Sequence, residues 1–183
     1  MAKTWIIVLI FSICINAQSF KLGFGLEAHQ INVLYPEGTR ILGGDGLPAA
    51  FNVELTYNVF KRFSVQAKVG HTMHVEFWGL ELGLNGKYNI IGPVFITSGI
   101  MYHSNEGKSI GLTHGSEFAN IFMFGAGAGI NVGKTLSLEA DYYIPTSRPV
   151  LGGGLNFTQN GYQSKVYRFI NMIRFGIHVG FLL

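Results

Sequence analysis

Charge is scarce in this chain. Lys, Arg, Asp and Glu make up 13% of its 183 residues, about half the ~25% of an average soluble domain. A surface facing water on all sides usually carries more. Cysteine is nearly absent: the single one is Cys14, so neither a disulfide scaffold nor a cysteine-based zinc site is open to the chain. No apolar run is long enough for a transmembrane helix; the longest, Trp5 to Ile15, has 11 residues where a span needs about 20. Neither sign of charge dominates, with 13 bases against 10 acids, which gives no case for nucleic acid as a partner. Nothing marks an internal repeat, a linker or a second domain, and this length suits one domain.

What the chain has instead is glycine, 25 residues of it, and a period-two alternation running from Phe20 to Leu183. The first 18 residues read as a cleavable signal peptide, with Lys3 as the basic start, Trp5 to Ile15 as the apolar stretch, and cleavage after Ala17 or Gln18. A lipoprotein reading would use Cys14, but the bulky Ile13 before it and the very short leader argue against that. An uncleaved N-terminal anchor is the other alternative.

Eight strands follow from the alternation. They are predicted at about 20–30, 50–59, 63–71, 77–88, 94–103, 118–131, 135–144 and 166–182. Each offers one apolar face, for example Phe51, Val53, Leu55 and Tyr57, or Phe122, Phe124, Ala126, Ala128 and Ile130. The last apolar face is read as Phe169, Ile173, Phe175, Ile177, Val179 and Phe181. Tight turns at Lys61-Arg62, Ile91-Gly92-Pro93 and Gly133-Lys134 alternate with longer connections at 31–49, 104–117 and 145–165. The opposite faces hold the charges: Lys21, Glu27, Glu54, Lys68, Glu81, Lys87, Glu139, Asp141, Arg168 and Arg174. No charge falls on an apolar face.

Inside a bilayer only helices and closed barrels satisfy every backbone amide and carbonyl. Weak alternating segments behind an export leader, with turns short on one side and long on the other, are the signature of an outer-membrane barrel. The expected fold is therefore all-β: an eight-stranded antiparallel transmembrane β-barrel over 19–183, behind a signal peptide at 1–18, in the bacterial outer membrane. Its surroundings would be outer-membrane lipid and lipopolysaccharide. No cofactor, metal or nucleic acid is expected, and the extracellular ligand is left open. A secreted lipocalin-like barrel would reverse the faces, with charge outside. Glycine-heavy polar faces and aromatic residues collected near the strand ends argue against that. The expected rims are Phe77, Trp78, Tyr102, Phe118, Tyr142 and Tyr167 at one end and Phe20, Tyr57, Phe60, Tyr88 and Phe181 at the other.

A barrel this narrow has no room for a water column, and buried charges persist only when paired and hydrogen-bonded. The near-equal counts of inward acids and bases predict a lumen closed by ion pairs, with Glu54, Lys68, Glu81, Glu139, Asp141, Arg168 and Arg174 as members.

The C-terminal strand adds a resemblance. Arg174, then Gly176, Val179 and Phe181, looks like the signal by which the barrel-assembly machinery recognises a last strand, although Leu182 and Leu183 follow the aromatic residue. With the leader, the strand count and the loop asymmetry, the mature chain resembles small outer-membrane β-barrel proteins of the OmpA/OmpX type. The leader ending Asn16-Ala17-Gln18 is similar to those of porin-family proteins of the Bacteroidetes. These families share a fold more than an activity.

Three motifs invite other readings. Ala128 to Thr135 fits a loose phosphate-loop pattern, but an alternating strand follows where a helix is required. His71 and His74 form a His-x-x-His pair without accompanying carboxylates, and a solvated rim explains them better than a metal site. His103-Ser104-Asn105 followed by Glu117 resembles the His-x-Ser-Asn…Glu set of PagL-type lipid A 3-O-deacylases. The resemblance would make Ser104 the nucleophile, His103 the base and Glu117 the orienting acid. Here, however, His103 and Ser104 are adjacent, so a strand would point them to opposite faces, and the family's motif lies in the final hairpin. The first reading is a non-enzymatic anchor displaying its long loops. Lipid A deacylase and small-solute pore are the alternatives.

Overall fold

The structure, a computed structural model, describes residues 20–35, 38–41, 49–74, 77–105, 120–148, 150–158 and 161–183. The leader at 1–18 lies outside them, as do Glu117, Phe118 and most of 104–117. Ten strands run in chain order: β1 (Phe20–Tyr35), β2 (Gly38–Ile41), β3 (Ala49–Phe60), β4 (Phe63–Met73), β5 (Gly79–Ile91), β6 (Val94–Asn105), β7 (Ile121–Val132), β8 (Leu136–Pro145), β9 (Val150–Thr158) and β10 (Gly161–Leu182).

Eight of them close a barrel. Neighbours pair in the order β1, β3, β4, β5, β6, β7, β8, β10, and β10 returns to β1 from Lys21↔Leu182 to Leu34↔Arg168. Every pairing is antiparallel. Closure leaves none of these eight with an unpaired edge. The sequence alternation explains the closure: each strand has one face for the outside and one for the lumen, so a flat sheet would expose one set wrongly.

The three tight turns lie at the end that also holds Phe20 and Leu182. Gly92 (φ 53°) and Gly133 (φ 80°) occupy the left-handed backbone region that two of those turns need. The Leu183 amide donates to the Phe20 carbonyl at 3.0 Å and ties the two ends of the described chain together. At the opposite end the barrel wall continues as two hairpins, β2 against Asn32–Tyr35 and β9 against Gly161–Arg168. The predicted loops 31–49 and 145–165 are thus partly strand, and Gly152-Gly153-Gly154 lies within β9. A strand with three successive glycines carries too weak a period to announce itself.

The outer face is apolar along its length. Phe24, Phe51, Val53, Leu55, Leu80, Leu82, Leu84, Phe124, Leu138, Phe175 and Ile177 are each between 40% and 60% exposed. This excludes the lipocalin-like arrangement, because the greasy side faces out and the ionised groups face in. Trp78 and Tyr142 are exposed near one rim, and Phe20, Phe60, Tyr88 and Phe181 near the other.

Three inward and outward assignments need correction. Phe77, expected at the outer rim, is fully buried inside. Phe169 was expected on the outer face and Arg168 in the lumen; Phe169 is fully buried inside and Arg168 is exposed. One cause accounts for both. The β1–β10 register passes from Asn32↔Asn171 to Val33↔Phe169, which leaves Ile170 as an extra residue. A bulge of one residue inverts the facing of everything beyond it.

Candidate functional site

The lumen is the only part of the described barrel where polar side chains converge, and it is layered. At the tight-turn end a polar cavity of about 590 Å³ opens, lined among others by Lys21, Glu54, Gln66, Lys87, Lys134 and His178. Above it lies a layer of ionised side chains. Above that, at the hairpin end, an apolar plug fills the bore: Ile31, Val33, Phe77, Met101, Ile121, Met123, Tyr143, Leu151, Phe169 and Met172 pack as one buried cluster.

Glycine makes room for the middle layer. Gly125, Gly127 and Gly129 on β7 stand opposite Tyr143, Asp141 and Glu139 on β8. A Cβ on Gly125 would strike the Tyr143 ring, one on Gly127 the Asp141 carboxylate and one on Gly129 the Phe95 ring. A bare strand beside a strand of large side chains is how this narrow bore accommodates acids and aromatic rings.

Two cations organise the layer. Arg174, 2% exposed, donates from Nη1 to Glu27 Oε2 at 2.8 Å and from Nη2 to Glu81 Oε1, with its guanidinium carbon 5.2 Å from the centre of the Tyr143 ring. Lys68 sits among three carboxylates, with Nζ 3.4 Å from Glu27 Oε1, Glu54 Oε1 and Glu139 Oε2. Lys87 closes the layer from the cavity side, 3.3 Å from Glu139 Oε1 and 3.4 Å above the centre of the Phe95 ring. Neutral donors occupy further carboxylate oxygens: Asn52 to Glu27 at 2.9 Å, Gln66 to Glu54 at 2.7 Å and Thr97 to Asp141 at 2.6 Å. His178 Nδ1 lies 2.6 Å from Glu54 Oε1 and His103 Nδ1 3.2 Å from Glu81 Oε1; against an ionised carboxylate these nitrogens donate. Charge-assisted bonds of this kind are the strong ones, and a low local dielectric strengthens them; Arg174 Nε and His103 Nε2 have no hydrogen-bond partner among the described residues.

Of the residues predicted to pair in the lumen, Glu54, Lys68, Glu81, Glu139 and Arg174 come together in this layer. Asp141 is buried beside it and held by Thr97. Arg168 is not part of it: it lies beyond the bulge, where its Nη1 donates to the Arg148 carbonyl at 3.2 Å. Sequence reasoning left Glu27, Lys87, Asn52, Gln66, Thr97 and three histidines out of the network. The signal was present, since His29 follows Glu27 by two residues and His178 follows Gly176 by two, on the same inward face.

Glu27, Glu54 and His178 place ligand atoms within 4.8 Å of one another, which invites a metal ion. The Lys68 ammonium, 3.4 Å from both carboxylates, already supplies the positive charge there. The cluster is therefore an ion-pair layer built around a resident amine.

The deacylase constellation is not assembled. His103 points inward, is fully buried, and stacks on Phe77 with ring centres 3.8 Å apart. Ser104 lies on the outward side of β6, so no hydrogen bond links the two. Glu117 lies outside the described residues. The phosphate-loop pattern also dissolves, because Gly133 to Thr135 is a turn between β7 and β8. His71 packs its edge against Trp78, ring centres 4.9 Å apart. In the proposed assembly signal, Arg174 and Gly176 face the lumen, while Val179 and Phe181 lie on the outward side.

No protein-family model matches the chain, and no curated protein matches it in sequence. Among solved structures it is similar to the N-terminal β-barrel domain of Pseudomonas aeruginosa OprF, at 12% identity over 87% of this chain and 97% of that one, with a TM-score of 0.46. It is similar to Neisserial surface protein A, at 12% identity over 91% of this chain and 100% of that one, TM-score 0.46. It is also similar to Ail, the attachment invasion locus protein of Yersinia pestis, at 17% identity over 90% of this chain and 97% of that one, TM-score 0.46.

Proposed function

We propose that this chain is an integral protein of the bacterial outer membrane that acts as a closed, non-enzymatic anchor. It would hold the segments 31–49, 104–117 and 145–165 at the cell surface, where they are free to meet a ligand or partner. The observation that carries the reading is the stacking of two seals in one bore, an ion-pair layer and an apolar plug, inside a barrel whose outside is apolar. A transport role needs a path for water, and a hydrolase needs a nucleophile beside its base; the bore and the His103–Ser104 geometry favour neither. The short turns then face the periplasm and the hairpins face outward. On this reading Arg174, Gly176, Val179 and Phe181 are what the assembly machinery recognises in β10.

Two measurements test it. Purified protein in detergent should change its gel mobility on boiling, as folded barrels do. Reconstituted into planar bilayers, it should give no steady single-channel conductance. Lasting open channels would replace the anchor by a pore, and mobility unaffected by heat would remove the barrel itself.

A further inference from the structure

The distribution of charge between the two ends of the barrel is lopsided. The chain has 10 acidic side chains. Five of them, Glu27, Glu54, Glu81, Glu139 and Asp141, are buried in the lumen. The other five, Glu37, Asp45, Glu76, Glu106 and Glu117, belong in sequence to the connections before β2, β3, β5 and β7 and lie outside the described residues. Glu54, which lines the cavity of the tight-turn end, is buried, and among the described residues that end has no exposed acidic side chain. It has cations: Lys61 and Arg62 in the β3–β4 turn and Lys134 in the β7–β8 turn, all exposed, with Lys21 at the mouth of the cavity.

These cations border the apolar exterior. Phe60 precedes Lys61 and is 73% exposed. Val132, 49% exposed, lies two residues before Lys134. Ile91, 74% exposed, caps the neighbouring turn, and Leu182 and Leu183 are 64% and 76% exposed at the same end. An amine just past an apolar belt sits at the depth of lipid phosphates, where its aliphatic stem stays in hydrocarbon and its head reaches the charged plane. Unopposed cations at that depth attract anionic headgroups.

We propose that the tight-turn end is a binding surface for anionic phospholipid headgroups of the leaflet it sits in, with Lys61, Arg62 and Lys134 as the contacts. The inference rests on the membrane-spanning reading given above. It makes the barrel selective for the lipid charge on one side, a property separate from whatever the surface loops bind.

The test reconstitutes the barrel into nanodiscs of phosphatidylcholine alone and into nanodiscs of equal parts phosphatidylcholine and phosphatidylglycerol. Lipid retained on the protein is counted by native mass spectrometry. Phosphatidylglycerol should be retained in preference, by roughly fivefold for each cation near the headgroup plane, and the preference should fade with salt. Lys61→Gln/Arg62→Gln/Lys134→Gln should abolish it while the gel mobility of the folded form stays unchanged. Arg148→Gln, at the opposite rim, should leave it intact. Equal retention of both lipids by the parent protein would overturn the proposal, as would a preference that survives the triple substitution. Inorganic phosphate stripping phosphatidylglycerol from the protein at concentrations that leave ionic strength unchanged would point to a free-anion site and overturn it too. Failure to enter either nanodisc would instead sink the membrane reading.

Discussion

Arg174, on β10, holds two carboxylates in one fork: Glu27 from the adjacent strand β1 and Glu81 from β5 across the bore. Arginine suits this place because its planar head satisfies two acids at once and never loses its charge. Arg174→Met would leave Glu27 with Lys68 and Asn52 but would strip Glu81 of its only cation with permanent charge among the described residues. Removing one partner of a buried ion pair costs about 3–5 kcal/mol. The expected outcome is a lower unfolding midpoint in micelles, followed by the loss of the fast-migrating folded band on heating, with Arg174→Lys falling between the two. A midpoint unchanged by Arg174→Met would show that the network contributes nothing to stability.

At the level of elements, the strands were legible and their ends were not. Period-two alternation marks β3, β4, β7 and β8 to within a residue or two at most of their ends, because an apolar exterior on one side and packed polar groups on the other penalise any residue on the wrong face. The same rule placed Glu54, Lys68, Glu81, Glu139 and Arg174 in the lumen. It failed at the bulge in β10, where Ile170 and Asn171 are both only half-buried and leave no sequence mark of the lost phase. Register there is set by β1, and pairing between distant strands is not encoded locally. Deleting Ile170 should remove the bulge and leave plain alternation along β10, with Asn171 out, Phe169 in and Arg168 out, the facing they already have. The plug would keep the ring that stacks on Phe77 at 5.7 Å, whereas Phe169→Ala removes it. Loss of a large buried aromatic side chain alone costs about 3–5 kcal/mol. The deletion variant should therefore unfold at a higher denaturant concentration than Phe169→Ala, and a reversed order would mean that the bulge itself is needed to seat β10.

For the molecule as a whole, two unlike seals in series determine how the bore responds to damage. Eight strands leave an interior just filled by side chains, so each layer is a few residues thick and spans the whole cross-section. Trimming only the plug, as Phe77→Gly/Phe169→Gly, leaves Arg174 and Lys68 bonded across the lumen beneath it. Trimming only the ionic layer, as Arg174→Gly, leaves the plug as a dry constriction. Neither variant should conduct steadily. Combined, the three substitutions connect the tight-turn cavity to the far side and leave Glu27, Glu54, Glu81 and Glu139 lining the path with fewer cations to offset them. Lines of like charge set the selectivity of a pore, so the triple variant should pass cations in preference to anions. Reversal potentials in planar bilayers under a salt gradient measure this directly. Conductance from either partial variant would mean that one layer alone holds the bore shut, and anion preference in the triple variant would mean that the carboxylates are not what faces the opened path.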